Sequence, residues 1–365
     1  MNALIFQGIE RIVHETVPDP ELIDERDAIV KVEVAGLCGS DLHPYFGRET
    51  GLDPGTVMGH EFVGEVVALG PEAKRRLEDD LPGHPVFRVG DRVVAPFTTN
   101  CGTCFYCRAG LTARCQRGSL FGWRERGHGL HGGQADYVRV PLADATLVPV
   151  PAGLKDPGLA ILAGDILSTA LFATDLARVS EDDVVVVVGC GPVGLLAIRC
   201  ALAAGARTVV AVDTVESRLV MAERFGAVPA PAPLTDGDPY EALSIVHART
   251  DGIGADAAIE AAGTARGTHN AASLLRAGAR LAAVGVHSEP NFGLTPKELY
   301  DRNLTYSAGR CPARRQLPRA LAFAIRESEL LSGMISHRLP LSRGPEAYRR
   351  FGAREEGWLK VLLSP

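Results

Sequence analysis

The chain lacks an excess of basic residues, a long apolar run and an N-terminal signal pattern. Its 365 residues carry a formal net charge of −6, which gives no electrostatic basis for binding nucleic acid or an anionic membrane. The most apolar stretch, VVVVVGCGPVGLLAI, is broken by glycine and proline and stops at Arg199, short of bilayer length. The opening MNALIFQGIERIVHE has neither the basic nor the apolar region of a secretory signal. We therefore expect a cytoplasmic protein that binds neither membranes nor nucleic acid.

A disulfide framework is also lacking, because the eight cysteines are not spread along the chain. Half of them lie in CGTCFYCRAGLTARC, at Cys101, Cys104, Cys107 and Cys115. Disulfides are rare in a reducing cytosol, and cysteines three apart on a tight loop rarely reach the geometry of one. Four thiolates at this spacing suit the tetrahedral shell of zinc. An iron–sulfur cluster or a redox disulfide is the alternative, although the Cys-Pro pair of one common cluster motif is absent.

A zinc ion in this lobe would be structural, because the protein fills all four coordination positions and leaves none for substrate. The remaining cysteines are scattered. We expect Cys200 and Cys311 to pack in the core, as free cysteines commonly do, and Cys190 to serve as a small side chain inside a turn.

The pattern of predicted elements divides the chain into two parts, as its length also suggests. The first 150 residues contain short strands separated by turns, such as AIVKVEVAG and DRVVAP, which predict a barrel-like β unit. From about residue 160, apolar strands alternate with helices, beginning with DDVVVVVG. This alternation predicts an α/β doubly wound parallel sheet. The segments SHRLPL and WLKVLLSP predict closing strands after a further amphipathic helix.

A glycine-rich turn follows the first predicted strand of the α/β part. Gly189, Gly191 and Gly194 have the G-x-G-x-x-G order between a strand and a helix, where the helix N-terminus can receive a pyrophosphate. Asp213 ends the next predicted strand and is placed to accept hydrogen bonds from ribose hydroxyls. Its charge would repel a 2′-phosphate, so NAD is favoured over NADP, although Arg218 one helical turn later could soften that preference.

A second metal site is indicated by Cys38 in CGSDLH and His60 in GHEFVGEVVALG, although a catalytic zinc needs a third protein ligand. The chain resembles the zinc-dependent medium-chain dehydrogenase/reductase family of alcohol dehydrogenases. It has the motifs of that family in the same order: the Cys38 and His60 motifs, VGDRVV, the four-cysteine lobe and the glycine-rich turn. The resemblance runs from about residue 25 to the C-terminus. The segments GDIL, GGQADYVRVPLADATLVPVP and GRCP resemble its formaldehyde-dehydrogenase-like branch.

The resemblance implies a fold and an assembly. Residues 1–160 and 311–365 would form a GroES-like β-barrel catalytic domain that carries the zinc lobe 101–115. Residues 161–310 would form a Rossmann NAD-binding domain. The family further implies two zinc ions per chain, one catalytic and one structural, a small alcohol or aldehyde as substrate, and a homodimer or homotetramer.

The resemblance also implies roles for the residues around the catalytic zinc. Asp165 matches the third ligand, and Glu61 matches a glutamate that can approach the metal. Ser40 matches the hydroxyl that passes on the substrate proton, and His43 the base that takes it toward solvent. Asp41 matches the carboxylate that orients the zinc-bound imidazole. The implied reaction is reversible hydride transfer between a zinc-bound alkoxide and NAD.

For the coenzyme, the resemblance places Thr169 against the nicotinamide and Lys360 at the pyrophosphate. The predicted cofactor-binding residues are Thr169, Gly189, Gly191, Pro192, Val193, Gly194, Asp213, Arg218, Val284, Gly285, Val286 and Lys360. The sequence departs from the family at Ala170 and Leu171, near the predicted nicotinamide and substrate entry, and in a charged surface insertion at 71–88.

Several alternatives remain open at this point. A polyol or sugar dehydrogenase of the same family also commonly has a carboxylate in its zinc shell, and an aldehyde hydrate could replace the alcohol. A non-catalytic NAD-binding protein could share the fold. At single positions, Asp165 could instead cap a helix. His128 and His131 are interpreted as part of a flexible glycine-rich loop and not as metal ligands.

Overall fold

The computed structural model describes residues 1–78, 86–232 and 240–365. The chain divides into two compact units. The first unit is Met1–Ser168 together with Pro312–Pro365, and the second is Thr169–Cys311. Each unit has its own hydrophobic core.

The N-terminal part of the first unit is mainly β-structure. Its strands are β1 (Asn2–Gly8), β2 (Arg11–Thr16), β3 (Ala28–Leu37), β4 (Thr56–Val57), β5 (Phe62–Leu69), β6 (Arg92–Val94), β7 (Trp123–Glu125), β8 (His128–Leu130), β9 (Tyr137–Val140) and β10 (Val148–Pro149). Its helices are α1 (Leu42–Tyr45), α2 (Pro71–Glu78), α3 (Phe105–Arg108), α4 (Ala143–Thr146) and α5 (Pro157–Gly164), and α6 (Ile166–Leu176) leads into the second unit.

The second unit is a six-stranded parallel sheet with helices between its strands. Its elements are β11 (Val184–Val188), α7 (Pro192–Ala203), β12 (Thr208–Asp213), α8 (Glu216–Arg224), β13 (Val228–Pro231), α9 (Tyr240–His247), β14 (Ala255–Glu260), α10 (Ala265–Ser273), β15 (Leu275–Ala283), α11 (Pro296–Asp301) and β16 (Thr305–Ala308). The strand order is β13-β12-β11-β14-β15-β16, the doubly wound order that alternation predicts. All five valines of β11 are at most 4% exposed, as expected for a strand covered on both faces.

The C-terminal residues return to the first unit. They form α12 (Ala313–Arg326), α13 (Ser328–Ser332), β17 (Ile335–Pro340), α14 (Gly344–Gly352) and β18 (Lys360–Ser364). Strand β18 lies between β3 and β17 in the sheet β10-β6-β5-β3-β18-β17, and β9 also pairs with β3. A smaller sheet has the order β2-β1-β4. The last strand of the chain is therefore placed beside the strand that leads to Cys38.

The glycine-rich segment with His128 is an ordered hairpin of β7 and β8, so its interpretation as a flexible loop is wrong; His131 Nδ1 accepts the Val57 amide at 3.0 Å. The predicted insertion at 71–88 contains helix α2, while residues 79–85 lie outside the described residues.

In the described ranges no single helix is long and apolar enough to cross a membrane; only the bent pair α5 and α6 reaches that length and composition together.

Candidate metal centre and coenzyme site

Three chemically different metal ligands converge in the first unit. Cys38 follows β3 and His60 precedes β5, and these strands pair antiparallel with Ala35 opposite Phe62, so both side chains reach the same end of the sheet. Asp165 lies at the break between α5 and α6, and α5 packs against β3 and β5. One donor atom from each of the three residues lies within 4.8 Å of the other two.

Asp165 is the C-terminal cap of α5, and among the described hydrogen bonds its side chain accepts no amide at the start of α6. Its carboxylate Oδ2 lies 3.3 Å from His60 Nε2 and 3.4 Å from Cys38 Sγ. Burial raises the pKa of Asp165, but the hydrogen bond and charge of His60 outweigh burial and hold that pKa below its usual value. Asp165 is thus an ionised donor at the centre of the cluster.

The cluster fits a divalent cation. Burial raises the pKa of the Cys38 thiol, and the nearby charges of Asp165 and Glu61 raise it further, so a thiolate here requires a positive charge beside it. Glu61 is buried, and its Oε1 atom has no hydrogen-bond partner among the described residues. A sulfur, an imidazole and a carboxylate are ligands that zinc accepts, with one tetrahedral position left open.

The imidazole of His60 is oriented by Asp41. Asp41 Oδ1 lies 3.2 Å from His60 Nδ1, which leaves Nε2 directed toward Cys38 and Asp165. Burial lowers the pKa of His60, but the charge of Asp41 and the hydrogen bonds that the imidazole donates to Asp165 and Asp41 hold that pKa well above its usual value. Asp41 has the position that the sequence analysis gave it, behind the predicted zinc ligand.

The predicted proton-transfer residues have different surroundings. The Ser40 hydroxyl lies 3.3 Å from both Cys38 Sγ and His60 Nε2, at the edge of the cluster. His43 lies in helix α1, and its buried Nδ1 has no partner among the described residues. Burial is the main cause that lowers the pKa of His43 below its usual value. The described hydrogen bonds do not join Ser40 to His43.

Lys360 and Glu61 form a buried ion pair. Lys360 Nζ donates to Glu61 Oε2 and also lies 3.3 Å from the Leu37 carbonyl. Burial lowers the pKa of Lys360, but the charge of Glu61, the charge of Cys38 and the hydrogen bond to Glu61 together outweigh burial and raise that pKa. The resemblance implies that Lys360 contacts the pyrophosphate; in the structure the side chain of Lys360 is only 1% exposed, and its ammonium group is directed to Glu61.

The four-cysteine lobe forms a second cluster in the same unit. Its four sulfur atoms lie within 4.8 Å of one another. Burial opposes ionisation of Cys101, but hydrogen bonds from Thr103 and from the Cys104 amide outweigh it and lower the pKa of Cys101 to about 6. The Cys101 amide is itself 3.2 Å from Cys115 Sγ. This arrangement fits the closed zinc shell that the spacing predicts.

The second unit forms the predicted dinucleotide cradle. Gly189 has a φ of +92°, and a Cβ atom there would lie 2.7 Å from the Ala262 nitrogen, so a side chain is excluded. A Cβ at Gly191 would meet no protein atom within 4 Å, which leaves the approach to the start of α7 open. Gly191 is the N-cap of α7, and as a glycine it has no side chain that could accept the amides there. Pro192 and Val193 form the first turn.

Asp213 lies at the end of β12 beside this turn. Its Oδ2 accepts the Cys190 amide at 2.7 Å, and its Oδ1 accepts the Val215 amide at 2.9 Å. Arg218 Nη1 lies 3.8 Å from Oδ2. The carboxylate therefore holds the glycine-rich turn, and its role toward the ribose stays a prediction.

Comparison with known proteins shows the family. Residues 24–152 match the model of the alcohol dehydrogenase GroES-like domain, and residues 192–326 match that of zinc-binding dehydrogenases. The medium chain reductase/dehydrogenase ucsI of Acremonium is 43% identical over 79% of this chain and 94% of its own length. This chain belongs to the zinc-dependent medium-chain alcohol dehydrogenases.

Other alcohol dehydrogenases are similar over the whole chain. Zinc-type alcohol dehydrogenase B of Aspergillus flavus is 38% identical over 97% of this chain and 79% of its own length. The structure of alcohol dehydrogenase TADH from Thermus sp. ATN1 has a TM-score of 0.89 and 36% identity, covering 100% of this chain and 99% of that chain. The predicted family and fold class are thus confirmed, and the chain is an oxidoreductase. The particular site residues and the formaldehyde-dehydrogenase-like branch stay predictions.

Sequence reasoning missed four buried or half-buried residues of this dehydrogenase. In the first unit, Gln134 and Tyr348 extend the hydrogen bonds behind Asp41. In the second unit, the Glu260 carboxylate accepts the Ala262 and Gly263 amides and lies 3.0 Å from His287 Nε2. Glu260 ends a central strand, as Asp213 does, and this shared position is the signal that could have identified it.

The Glu260 backbone also holds the predicted cofactor segment after β15. Its carbonyl accepts the Val284 and Gly285 amides at 3.0 and 3.2 Å. The carboxylate of Glu260 thus fixes the loop after β14, and its carbonyl fixes the loop after β15. Val286, in the second of these loops, is 55% exposed. Thr169, the remaining predicted cofactor contact, lies in α6 at the start of the second unit.

Proposed function

We propose that this dehydrogenase oxidises a small alcohol with NAD, reversibly, at a catalytic zinc held by Cys38, His60 and Asp165. The single observation that carries the proposal is the convergence of these three donors, two buried and one half-buried, within 4.8 Å. A second zinc, bound by the four-cysteine lobe 101–115, would be structural. Bound catalytic zinc supplies a Lewis acid that polarises the substrate hydroxyl and lowers its pKa.

Other residues of the first unit would orient the ligand His60 and carry the substrate proton to solvent. Asp41 orients His60, as a carboxylate behind a ligating imidazole usually does. Ser40 is near enough to the cluster to accept the substrate proton. His43 stays neutral near neutral pH, because burial lowers its pKa, and it can therefore receive that proton and pass it to solvent. The ion pair with Lys360 holds Glu61 beside the cluster without an exposed charge.

The second unit would bind the coenzyme. The pyrophosphate would lie on the amides at the start of α7, and Asp213 would accept the ribose hydroxyls. NAD is favoured over NADP because the buried Asp213 carboxylate would repel a 2′-phosphate. Bound NAD supplies the hydride acceptor. Alcohol dehydrogenase relatives support a small-molecule substrate, and we further propose a homodimer or homotetramer.

A polyol is the second candidate substrate. Sorbitol dehydrogenase of Halalkalibacterium halodurans is 29% identical over 92% of this chain and 91% of its own length. The carboxylate ligand Asp165 suits that alternative equally well. An aldehyde hydrate, as in the formaldehyde-dehydrogenase-like branch, would use the same residues and the same hydride transfer.

One assay series tests the proposal. Simple alcohols, polyols and aldehydes are supplied with NAD or NADP at fixed zinc, and NADH or NADPH absorbance is followed. We expect the fastest turnover with an alcohol and NAD. The substitution Cys38→Ser should lower kcat/KM by at least about 100-fold, because mutating a residue that merely contacts a metal ligand already lowers metal affinity or activity by about 10- to 100-fold. The matched variant Cys200→Ser alters a buried cysteine of α7 and should retain activity.

Retained activity in Cys38→Ser with no zinc in the Cys38 cluster would contradict the proposed site. Faster turnover of polyols than of simple alcohols would show that the substrate is a polyol and not a simple alcohol.

A further inference from the structure

Behind the predicted zinc ligand His60, the structure contains an uninterrupted line of buried hydrogen bonds. Tyr348 Oη donates to Gln134 Oε1 at 2.8 Å. Gln134 Nε2 donates to the Gly36 carbonyl at 3.0 Å and to Asp41 Oδ2 at 3.3 Å. The other oxygen of Asp41 lies 3.2 Å from His60 Nδ1. The line joins helix α14 near the C-terminus to a residue proposed to bind zinc.

The partners allow only one direction of donation along this line. The Gly36 carbonyl can only accept, so the amide nitrogen of Gln134 must face it, and the amide oxygen must face the hydroxyl of Tyr348. Asp41 accepts from Gln134 at Oδ2, where the Cys38 amide also donates at 2.9 Å. Its Oδ1 is then available for a hydrogen on His60 Nδ1, which leaves the Nε2 lone pair for a metal.

Packing prevents these groups from finding other partners. Gln134 and Tyr348 are both 0% exposed, so water cannot replace a lost bond. The backbone of Gln134 is fixed by bonds of 2.9 Å to Met58 and Leu4. Gly59 leaves room for the side chain of Gln134, because a Cβ on Gly59 would overlap it. The ring of Tyr348 lies 5.5 Å from that of Tyr45.

We infer that Gln134 and Tyr348 are positioning residues, which hold the Asp41 carboxylate and through it the tautomer and ring orientation of His60. The inference rests on the proposed catalytic zinc. Removing a direct partner of a metal ligand typically costs 10–100-fold in metal affinity. Asp41 is the direct partner of His60, Gln134 is one hydrogen bond further from the ligand, and Tyr348 is two. The loss of the Tyr348 hydroxyl should therefore lower the affinity for the catalytic zinc by less, about 3- to 10-fold.

The experiment measures zinc release to a chromogenic chelator from the full-length protein. Tyr348→Phe removes only the hydroxyl, and Gln134→Met removes both polar groups of the amide at nearly constant volume. Tyr45→Phe is the matched control, because Tyr45 is buried in the same aromatic cluster without a bond to Gln134 among the described contacts. The structural zinc of the lobe 101–115 is an internal reference for intact folding.

We expect Tyr348→Phe to release the catalytic zinc about 3- to 10-fold more readily, with a larger effect in Gln134→Met and none in Tyr45→Phe. The structural zinc should be unaffected. With cobalt in the catalytic site, the visible absorption band should shift in Tyr348→Phe and not in Tyr45→Phe, because the ligand geometry changes only in the former.

Unchanged release and an unchanged cobalt band in both Tyr348→Phe and Gln134→Met would overturn the inference and leave the proposed zinc site standing. Equal changes in Tyr348→Phe and Tyr45→Phe, or in both zinc sites, would show a packing effect and also overturn it. Wild-type protein with only the structural zinc would overturn the proposed function and this inference together.

Discussion

At the residue scale, the two predicted proton-transfer residues, Ser40 and His43, differ in their surroundings. Ser40 lies against the ligand cluster, whereas His43 Nδ1 is buried and unpartnered in the described part of the chain. Burial of a histidine without a compensating carboxylate favours the neutral imidazole. Glu49 opposes this shift, but the net direction for the pKa of His43 is downward. A neutral imidazole at neutral pH is the form that can accept a proton.

This environment predicts the pH dependence of alcohol oxidation. Because the pKa of His43 is lowered from 6.5, protonation should begin to slow the reaction only below that value as the pH falls. In His43→Gln, kcat/KM should drop by up to about 100-fold and this acidic limb should disappear. The exposed His128 offers a matched control, His128→Gln, with an unchanged profile. The assignment fails if His43→Gln keeps the wild-type limb.

At the scale of secondary-structure elements, two strand ends of the parallel sheet form the proposed coenzyme site. Strands β11 and β12 are paired in parallel with Val188 opposite Val212, so the turn after β11 lies beside Asp213. Asp213 then accepts the Cys190 amide of that turn. The same carboxylate thus holds the turn and is also proposed to bind ribose, and two substitutions can separate these two tasks.

Asp213→Asn removes the charge but keeps an oxygen that can accept the Cys190 amide. We expect NAD to bind somewhat more weakly and the preference for NAD over NADP to fall by roughly tenfold, as for loss of one charged hydrogen bond. Asp213→Gly also frees the turn, so the dissociation constants of both coenzymes should rise. Fluorescence titration with NADH and NADPH measures both. An unchanged NADH dissociation constant in Asp213→Gly would refute the role of Asp213.

Most elements follow directly from local sequence patterns. The valine run of β11 predicts a strand covered on both faces, and the spacing of Gly189, Gly191 and Gly194 predicts the turn into α7. The glycine-rich pattern around His128 could not predict the β7–β8 hairpin, because glycine occurs in the turns of hairpins as well as in flexible loops. Strand β10, with only two residues, is too short for periodicity to show.

The site could be predicted only where a residue carries a chemical signature. Cys38 and His60 are evident because thiolate and imidazole are typical zinc ligands in recognisable motifs. Gln134 and Tyr348 have no such signature, and 214 positions of sequence separate them. Their roles arise from tertiary packing alone, which brings α14 against the segment before β9.

At the scale of the whole molecule, the first unit depends on both ends of the chain. The residues from Pro312 onward supply β18 to the main sheet, Lys360 to Glu61 and Tyr348 to Gln134. Among the described residues, two separate clusters of potential metal ligands lie in this unit, one with three ligands and one with four. An open three-ligand shell and a closed four-ligand shell are the arrangements expected of a catalytic and a structural zinc, respectively.

Elemental analysis of zinc per purified chain tests this division most directly. The wild type should hold about two zinc ions, while Asp165→Ala and Cys107→Ala should each hold about one, since each substitution breaks a different shell. Asp165→Ala should also be inactive. About one zinc in the wild type, or about two in Asp165→Ala, would contradict the account.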